Sequence, residues 1–274
     1  RVEGSYALGI IWKDHPGKLF AVRKDSPLIV GKAENGCFIA SDVPAILKYT
    51  RNVYFMENME IACMDRDQVH FYNLDQEEIE KEISVIEWDL EAAEKGGYEH
   101  FMLKEIYEQP KAVRDTINPR IKEDEIVIDE LQMTEDEIQK IKKISIVACG
   151  SAYHAGVTGK YIMEGIARIP VEVDLASEYR YRNPIVDENS IVIIISQSGE
   201  TADSLAALRE AKNRGVKVIG IVNVVGSSIA READNVMYTW AGPEISVATT
   251  KAYSTQLAAL YLLSLYFGKV RGTI

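Results

Sequence analysis

Cysteine and histidine are scarce in this chain: 274 residues hold three of the first and four of the second. Cys37, Cys63 and Cys149 are odd in number and far apart, so they form neither a disulfide framework nor a paired metal-ligand pattern. His15, His70, His100 and His154 have no partners at zinc-ligand spacing. Positive charge is in deficit as well, with 31 Lys and Arg against 42 Asp and Glu and a formal net charge of −11. Neutralising a phosphate backbone needs clustered cations, so nucleic acid is excluded as a main partner. Membrane-spanning runs are also lacking. Residues 257–267 are apolar but too short and are interrupted by Ser264, which reads as a buried helix and excludes a membrane partner. Together these absences suit a reducing, cytoplasmic setting.

What is present is ample core. Hydrophobic residues make up 47% and charged residues 27%, and the length exceeds the usual single domain, so two domains are expected. The chain opens on Arg1 in what reads as a strand already inside a domain, and it is expected to be a piece of a longer protein. Residues 1–73 alternate short apolar runs with turn signals. Strands are predicted at 6–12, 19–23, 28–32, 37–41, 53–55, 60–64 and 69–72, with Asn35-Gly36 as a hairpin turn. A short helix is predicted over 42–49, with Asp42 as N-cap and Pro44 in its first turn. Residues 74–97, dense in charge at Gln76-Glu-Glu-Ile-Glu-Lys-Glu82 and closing on Gly96-Gly97, read as a linker.

Residues 98–274 change texture to β–α alternation. Helices are predicted at 101–115, 135–141, 153–168, 201–214, 228–232 and 247–267, the second opened by the capping-box pattern Thr134-Glu-Asp-Glu137. Strands are predicted at 144–149, 171–175, 191–196, 216–223 and 235–240. The fold class is therefore α/β: a doubly wound, mostly parallel five-stranded sheet with right-handed crossovers, preceded by an antiparallel β-rich part. Ligands in such sheets bind beyond the carboxyl ends of the strands. Two hydroxyl-bearing turns fall there, Cys149-Gly-Ser-Ala152 and Ser196-Gln-Ser-Gly-Glu-Thr201. Neither matches G-x-G-x-x-G or the phosphate loop ending in Gly-Lys-Thr, so no dinucleotide, ATP or other cofactor is expected.

The second turn follows five β-branched residues, Ile191 to Ile195, that read as a strand buried on both faces. It places hydroxyls, an amide and unpaired first-turn N–H groups at a helix start, where the dipole favours an anion. With no Lys or Arg inside it, the loop suits a phosphate carried on a neutral sugar. A turn that only caps and connects has the same local pattern, and the loop by itself does not separate the two.

After a buried strand, Ser196-Gln-Ser-Gly-Glu-Thr201 resembles the signature of the sugar isomerase (SIS) domain, which binds phosphorylated sugars. Ala148-Cys-Gly-Ser151, Ala176-Ser-Glu-Tyr-Arg-Tyr-Arg182, Val247-Ala-Thr-Thr-Lys-Ala252 and Lys104-Glu-Ile-Tyr-Glu-Gln-Pro110 narrow the resemblance to the glutamine–fructose-6-phosphate aminotransferase family. Gly4-Ser-Tyr-Ala7, Ser26-Pro-Leu28 and Phe38-Ile-Ala-Ser-Asp42 resemble the later part of that family's glutaminase domain, so the likeness runs colinearly along nearly the whole chain.

The resemblance implies three parts: a glutaminase whose nucleophile is its mature N-terminal Cys, then two SIS domains. Ammonia released from glutamine aminates fructose 6-phosphate to give glucosamine 6-phosphate. It implies further that 1–73 is an incomplete glutaminase part and 98–274 the first SIS domain. The partners implied are fructose 6-phosphate or glucosamine 6-phosphate, and a second copy joined through the SIS domains. Ser196, Gln197, Ser198 and Thr201 are implied to hold the phosphate. Ser151 is implied to reach a sugar hydroxyl, and Val247 and Thr249, in the loop before the last helix, to contact the sugar. Ala152 stands where relatives often carry Ser. Arg1 stands where the family's cleaved chain begins with Cys, and the part that supplies the Lys, Glu and His of isomerisation has no counterpart after Ile274. No catalytic residue is therefore assigned, and this chain alone is expected to turn over neither half-reaction.

Other chemistry-bearing residues have plainer readings. Cys149 lacks a neighbouring His and reads as a packing thiol, and His154 as a surface residue. Glu200 and Asp203 read as caps that complement a helix dipole, and Lys251, set against the dipole, as half of a salt bridge. The rival functions are a phosphosugar-sensing SIS regulator and a stand-alone phosphosugar isomerase. The first would call for a basic DNA-binding helix pair upstream and the second for a local base, Glu200 or His154. Neither accounts for the first seventy residues.

Overall fold

The computed structural model describes residues 2–86, 95–123 and 125–274. Contacts divide the chain into two units, Arg1–Glu94 and Lys95–Ile274. In the first, nine strands among the described residues run antiparallel: β1 (Tyr6–Ile11), β2 (Leu19–Lys24), β3 (Ile29–Ala33), β4 (Gly36–Ala40), β5 (Asn52–Phe55), β6 (Ile61–Met64), β7 (Val69–Tyr72), β8 (Glu78–Ile79) and β9 (Ser84–Val85). They form two sheets, in the orders β1-β2-β6-β7-β8 and β4-β3-β5-β9. Strand alternation sends neighbouring residues to opposite sides. Val30 joins Ala21, Ala62 and Phe71 in one cluster, while Ile29 joins Val43, Leu47 and Val53 in another.

Two local expectations change here. Residues 42–49 form a series of turns and not a helix. Asp42 Oδ1 accepts from the Ala45 N–H, and Ile46 and Tyr49 donate to carbonyls only three residues back. A single four-residue bond, Thr50 N–H to Ile46, cannot propagate an α-helix. Within the charged segment read as linker, β8 pairs with β7 and β9 with β5, because isolated apolar residues, Ile79 and Ile86, reach the two clusters. Residues 87–94 of that segment lie outside the described residues.

The second unit contains α1 (Phe101–Ile117), a small hairpin of β10 (Ile121–Lys122) and β11 (Glu125–Ile126), and α2 (Glu135–Lys140). It continues with β12 (Lys143–Ala148), α3 (Gly150–Ile166), β13 (Val171–Leu175), α4 (Ala176–Tyr179), β14 (Ser190–Ser196) and α5 (Ala202–Asn213). It ends with β15 (Lys217–Val222), α6 (Ser228–Glu232), β16 (Asn235–Tyr238) and α7 (Lys251–Arg271). The five longer strands form a parallel sheet in the order β13-β12-β14-β15-β16. This is the doubly wound α/β fold. Thr134 and Glu137 form the capping box that opens α2.

Burial explains the β14 sequence. Ile191, Ile193 and Ile195 pack with Met163, Leu260 and Phe267 on one face, and Val192 and Ile194 with Leu205 and Leu208 on the other. A central parallel strand is covered twice, so both of its alternating rows are apolar. On α3, Gly156 lets the helix close on the sheet: a Cβ there would lie 2.8 Å from Ile146 Cγ2. Two helix starts differ by three residues or more from those read in the sequence. α3 begins at Gly150 and not at 153, and α7 runs from Lys251 to Arg271, which leaves 247–250 in a loop.

Candidate functional site

The chain leaves β12 through α3 toward β13, then returns to β14 on the other side of β12. The crevice between the carboxyl ends of β12 and β14 is thus the switch point of the sheet, where ligands of open α/β folds bind. Ala148 pairs with Ile195, so the turns after the two strands open side by side. A cavity of about 230 Å³ lies there, lined by Cys149, Ser151, Ala152, Ser196, Gln197, Ser198 and Thr201. Its other wall is Glu244, Ser246, Val247 and Thr249, with Gln256 from α7. All seven residues that the resemblance implied border this one cavity. A wider cleft of about 800 Å³ in the first unit, near Trp12, His15 and Arg66, contains none of them.

The turn after β14 is held by its own side chains. Ser196 Oγ accepts from the Gly199 N–H at 3.0 Å and lies 3.1 Å from Thr201 Oγ1, while Ser198 Oγ accepts from the Glu200 N–H at 3.2 Å. Gly199 sits at φ +67, and a Cβ on it would stand 2.0 Å from Ser227 Oγ, so both the backbone and the space require glycine. The first bond within α5 runs from the Leu205 N–H to the Thr201 carbonyl. The N–H groups of Ala202, Asp203 and Ser204 therefore precede the ladder, and Thr201, the N-cap, makes no side-chain cap. Cys149, the N-cap of α3, makes none either. Two helix starts thus bring partial positive charge to the cavity.

The third helix start is already filled. Glu244 Oε1 accepts from the Thr250 N–H at 2.8 Å and the Ala252 N–H at 3.1 Å, and its Oε2 accepts from the Thr249 hydroxyl at 2.7 Å. A carboxylate of the chain itself therefore neutralises the α7 dipole, which leaves α3 and α5 for an outside anion. Among the described residues no Lys or Arg lines the cavity. Gln256 is 4% exposed, and its Oε1 has no hydrogen-bond partner among the described residues.

Other candidates point elsewhere. Glu200 receives the Ser228 N–H and hydroxyl and so caps α6, and Asp203 pairs with Arg180 at 3.4 Å. Lys251, 2% exposed, pairs with Glu108 at 2.7 Å, which explains a lysine at a helix start. Cys149 Sγ accepts from the Ser204 hydroxyl at 3.8 Å, and His154 lies exposed with its ring edge-on to Tyr153. The polar turn at 178–182 anchors inward: Arg182 bonds Asp174 and Glu172, and Lys143 holds the Glu172 carboxyl below its ordinary range. Burial pushes the Tyr179 hydroxyl up to about 12. Reading the sequence alone missed Glu244, Ser246 and Gln256. The one signal was Glu244 itself, an acidic residue shortly before a predicted helix.

Relatives share the fold of the second unit. Residues 137–266 match the SIS domain family. The isomerizing glutamine–fructose-6-phosphate aminotransferases of Caldanaerobacter subterraneus subsp. tengcongensis and of Clostridium acetobutylicum are each 61% identical over 275 residues, covering 100% of this chain and 45% of theirs. The chain thus spans less than half the length of these curated relatives. The solved C-terminal domain of the Francisella tularensis glucosamine-fructose-6-phosphate aminotransferase superposes with a TM-score of 0.64 at 46% identity, over 66% of this chain and 51% of that one. No described helix is long and apolar enough to cross a membrane. Residues 137–266 are a SIS domain, set in a chain that resembles glutamine–fructose-6-phosphate aminotransferases along its whole length.

Proposed function

We propose that this chain is the sugar-phosphate-binding part of a glutamine–fructose-6-phosphate aminotransferase. The ligand of its cavity is fructose 6-phosphate, and the whole enzyme converts it with glutamine to glucosamine 6-phosphate and glutamate. Residues 1–73 belong to the glutaminase part and 98–274 to the first SIS domain. The observation that carries this reading is the meeting of two uncapped helix starts with Ser151, Ser196, Ser198 and Thr201 around one cavity whose third helix start is filled by Glu244. First-turn N–H groups, the Gln197 amide and neutral hydroxyls take the phosphate oxygens, while Ser151, Val247 and Thr249 face the sugar.

The role of these residues is to fix the phosphate so that the sugar carbonyl is presented in a single orientation, an effect worth several kcal/mol when the geometry is good. Neither candidate local base supports a self-contained isomerase, since Glu200 caps α6 and His154 does not line the cavity. A chain of these 274 residues binds the phosphosugar without converting it, and pairs with a second copy through its SIS domain. Calorimetric titration with fructose 6-phosphate, with fructose and inorganic phosphate as controls, tests the reading. Saturable binding of the phosphosugar, weakened by Ser198→Ala, supports it, and absence of binding by a folded sample rejects it.

A further inference from the structure

The segment Lys104-Glu-Ile-Tyr-Glu-Gln-Pro110 on α1 borders no part of the cavity, yet three of its side chains reach toward the cavity's far wall. Glu105 Oε1 accepts from the Ile245 N–H at 2.7 Å and the Ser246 N–H at 3.1 Å. Glu108 pairs with Lys251 at 2.7 Å and with Lys104 at 3.5 Å. Gln109 Oε1 accepts from the Ser254 hydroxyl at 2.6 Å. Positions 105, 108 and 109 share one helix face, so a single turn of α1 grips the loop after Glu244 and the first turn of α7 together.

Glu105 is the telling member. It is 2% exposed, and its Oε2 has no hydrogen-bond partner among the described residues. Burying a carboxylate with one oxygen unsatisfied is costly, and an apolar contact would join two helices at less expense. What an apolar contact cannot do is hold two adjacent N–H groups of a loop. Those N–H groups immediately precede Val247, whose side chain is fully exposed and packs on nothing that could fix the loop.

We infer that α1 is a positioning rack for the sugar-facing loop, and that Glu105, through its two bonds to Ile245 and Ser246, is the residue that sets the loop's place over the cavity. The inference rests on the phosphosugar reading of that cavity. Glu105 touches no ligand. It orders the wall opposite the phosphate cradle and so governs recognition of the sugar and not of the phosphate.

The test compares Glu105→Gln, which keeps an acceptor oxygen, with Glu105→Leu, which is similar in shape and has none. Each is titrated with fructose 6-phosphate and with inorganic phosphate. Glu105→Gln should keep the phosphosugar affinity within about threefold, and Glu105→Leu should lower it at least about tenfold, with inorganic phosphate unchanged in both. A Leu variant that binds fructose 6-phosphate like the unaltered chain, or loses both ligands equally, overturns the inference. Hydrogen exchange on the unaltered, ligand-free chain needs no variant to fold. Slow exchange at the Ile245 and Ser246 amides supports the rack, and exchange at open-loop rates overturns it. If the unaltered chain binds no fructose 6-phosphate, the reading of the cavity fails, and the exchange data still decide whether the rack exists.

Discussion

The two walls of the cavity are stabilised in opposite ways. The Ser196–Thr201 turn is closed by bonds that span five residues or fewer, Ser196 to Gly199 and Thr201 and Ser198 to Glu200. The 244–250 loop is held at one end by Glu244 and at the other by Glu105, which lies 140 residues away in sequence from Ile245. A wall that carries its own bonds is shaped as soon as its strand and helix form. A wall held from α1 takes its shape only once the unit is packed. The difference suits their tasks: a phosphate is met by much the same set of donors on any sugar, whereas the hydroxyl pattern differs from sugar to sugar.

This contrast can be broken or sharpened by substitution. The largest effect is expected at Gly199→Ala, where a Cβ meets both a positive φ and Ser227 Oγ. Strain of about 1–3 kcal/mol should appear as a lower thermal midpoint, and the distorted turn should lose about a hundredfold in fructose 6-phosphate affinity. Retained affinity would show that the turn is not the cradle. Ser198→Ala and Thr201→Ala should each cost about tenfold for fructose 6-phosphate and for inorganic phosphate alike, with the fold intact. Loss confined to the phosphosugar would move these hydroxyls to the sugar side.

Glu244→Gln should separate the walls by sign. Removing an anion that faces the cavity strengthens inorganic phosphate about two- to threefold. Loss of the charged cap on α7 and of the acceptor for Thr249 loosens the sugar wall and weakens fructose 6-phosphate by a similar factor. Two falls or two rises in calorimetry would contradict the division. The smallest effect concerns acid stability. Lys217, as hydrogen-bond donor, holds the Glu137 carboxyl below its ordinary range, so its stabilisation is present above the unfolded carboxyl's pKa. It is lost as pH falls through the lower, folded value. Comparing thermal midpoints of the unaltered chain and Glu137→Gln between neutral and acid pH should show a narrowing gap, below about 1 kcal/mol because the pair is half exposed. A gap that widens toward acid would reverse the sign.

How much of this was legible beforehand follows the range of the bonds. The β14 strand and the turn after it could be read because five β-branched residues and four hydroxyl or amide residues act within one short window. That the sheet is parallel followed from β–α alternation. The boundary of α3 was missed because Gly150, at φ +57, reads as a breaker although the helix begins on it. The α7 boundary was missed because residues 247–250 have no local feature that withholds them from a helix. They are kept out by Glu244, which occupies the N–H groups of Thr250 and Ala252. Glu105 could not have been found by pattern. An acidic residue in the first turns of a helix normally reads as dipole complement, and its partners are in another part of the unit.

That no Lys or Arg among the described residues lines the cavity bears on how fast a ligand arrives. The cavity's charged side chain is Glu244, so a phosphate dianion approaches against the field of a carboxylate. Its capture is left to dipoles that act only within the first turn of a helix, after the approach is complete. Added salt screens the opposing field over about 8–10 Å and leaves the short-range donors untouched. Association of the sugar phosphate should therefore quicken as ionic strength rises, the reverse of what a lysine-lined phosphate site would show.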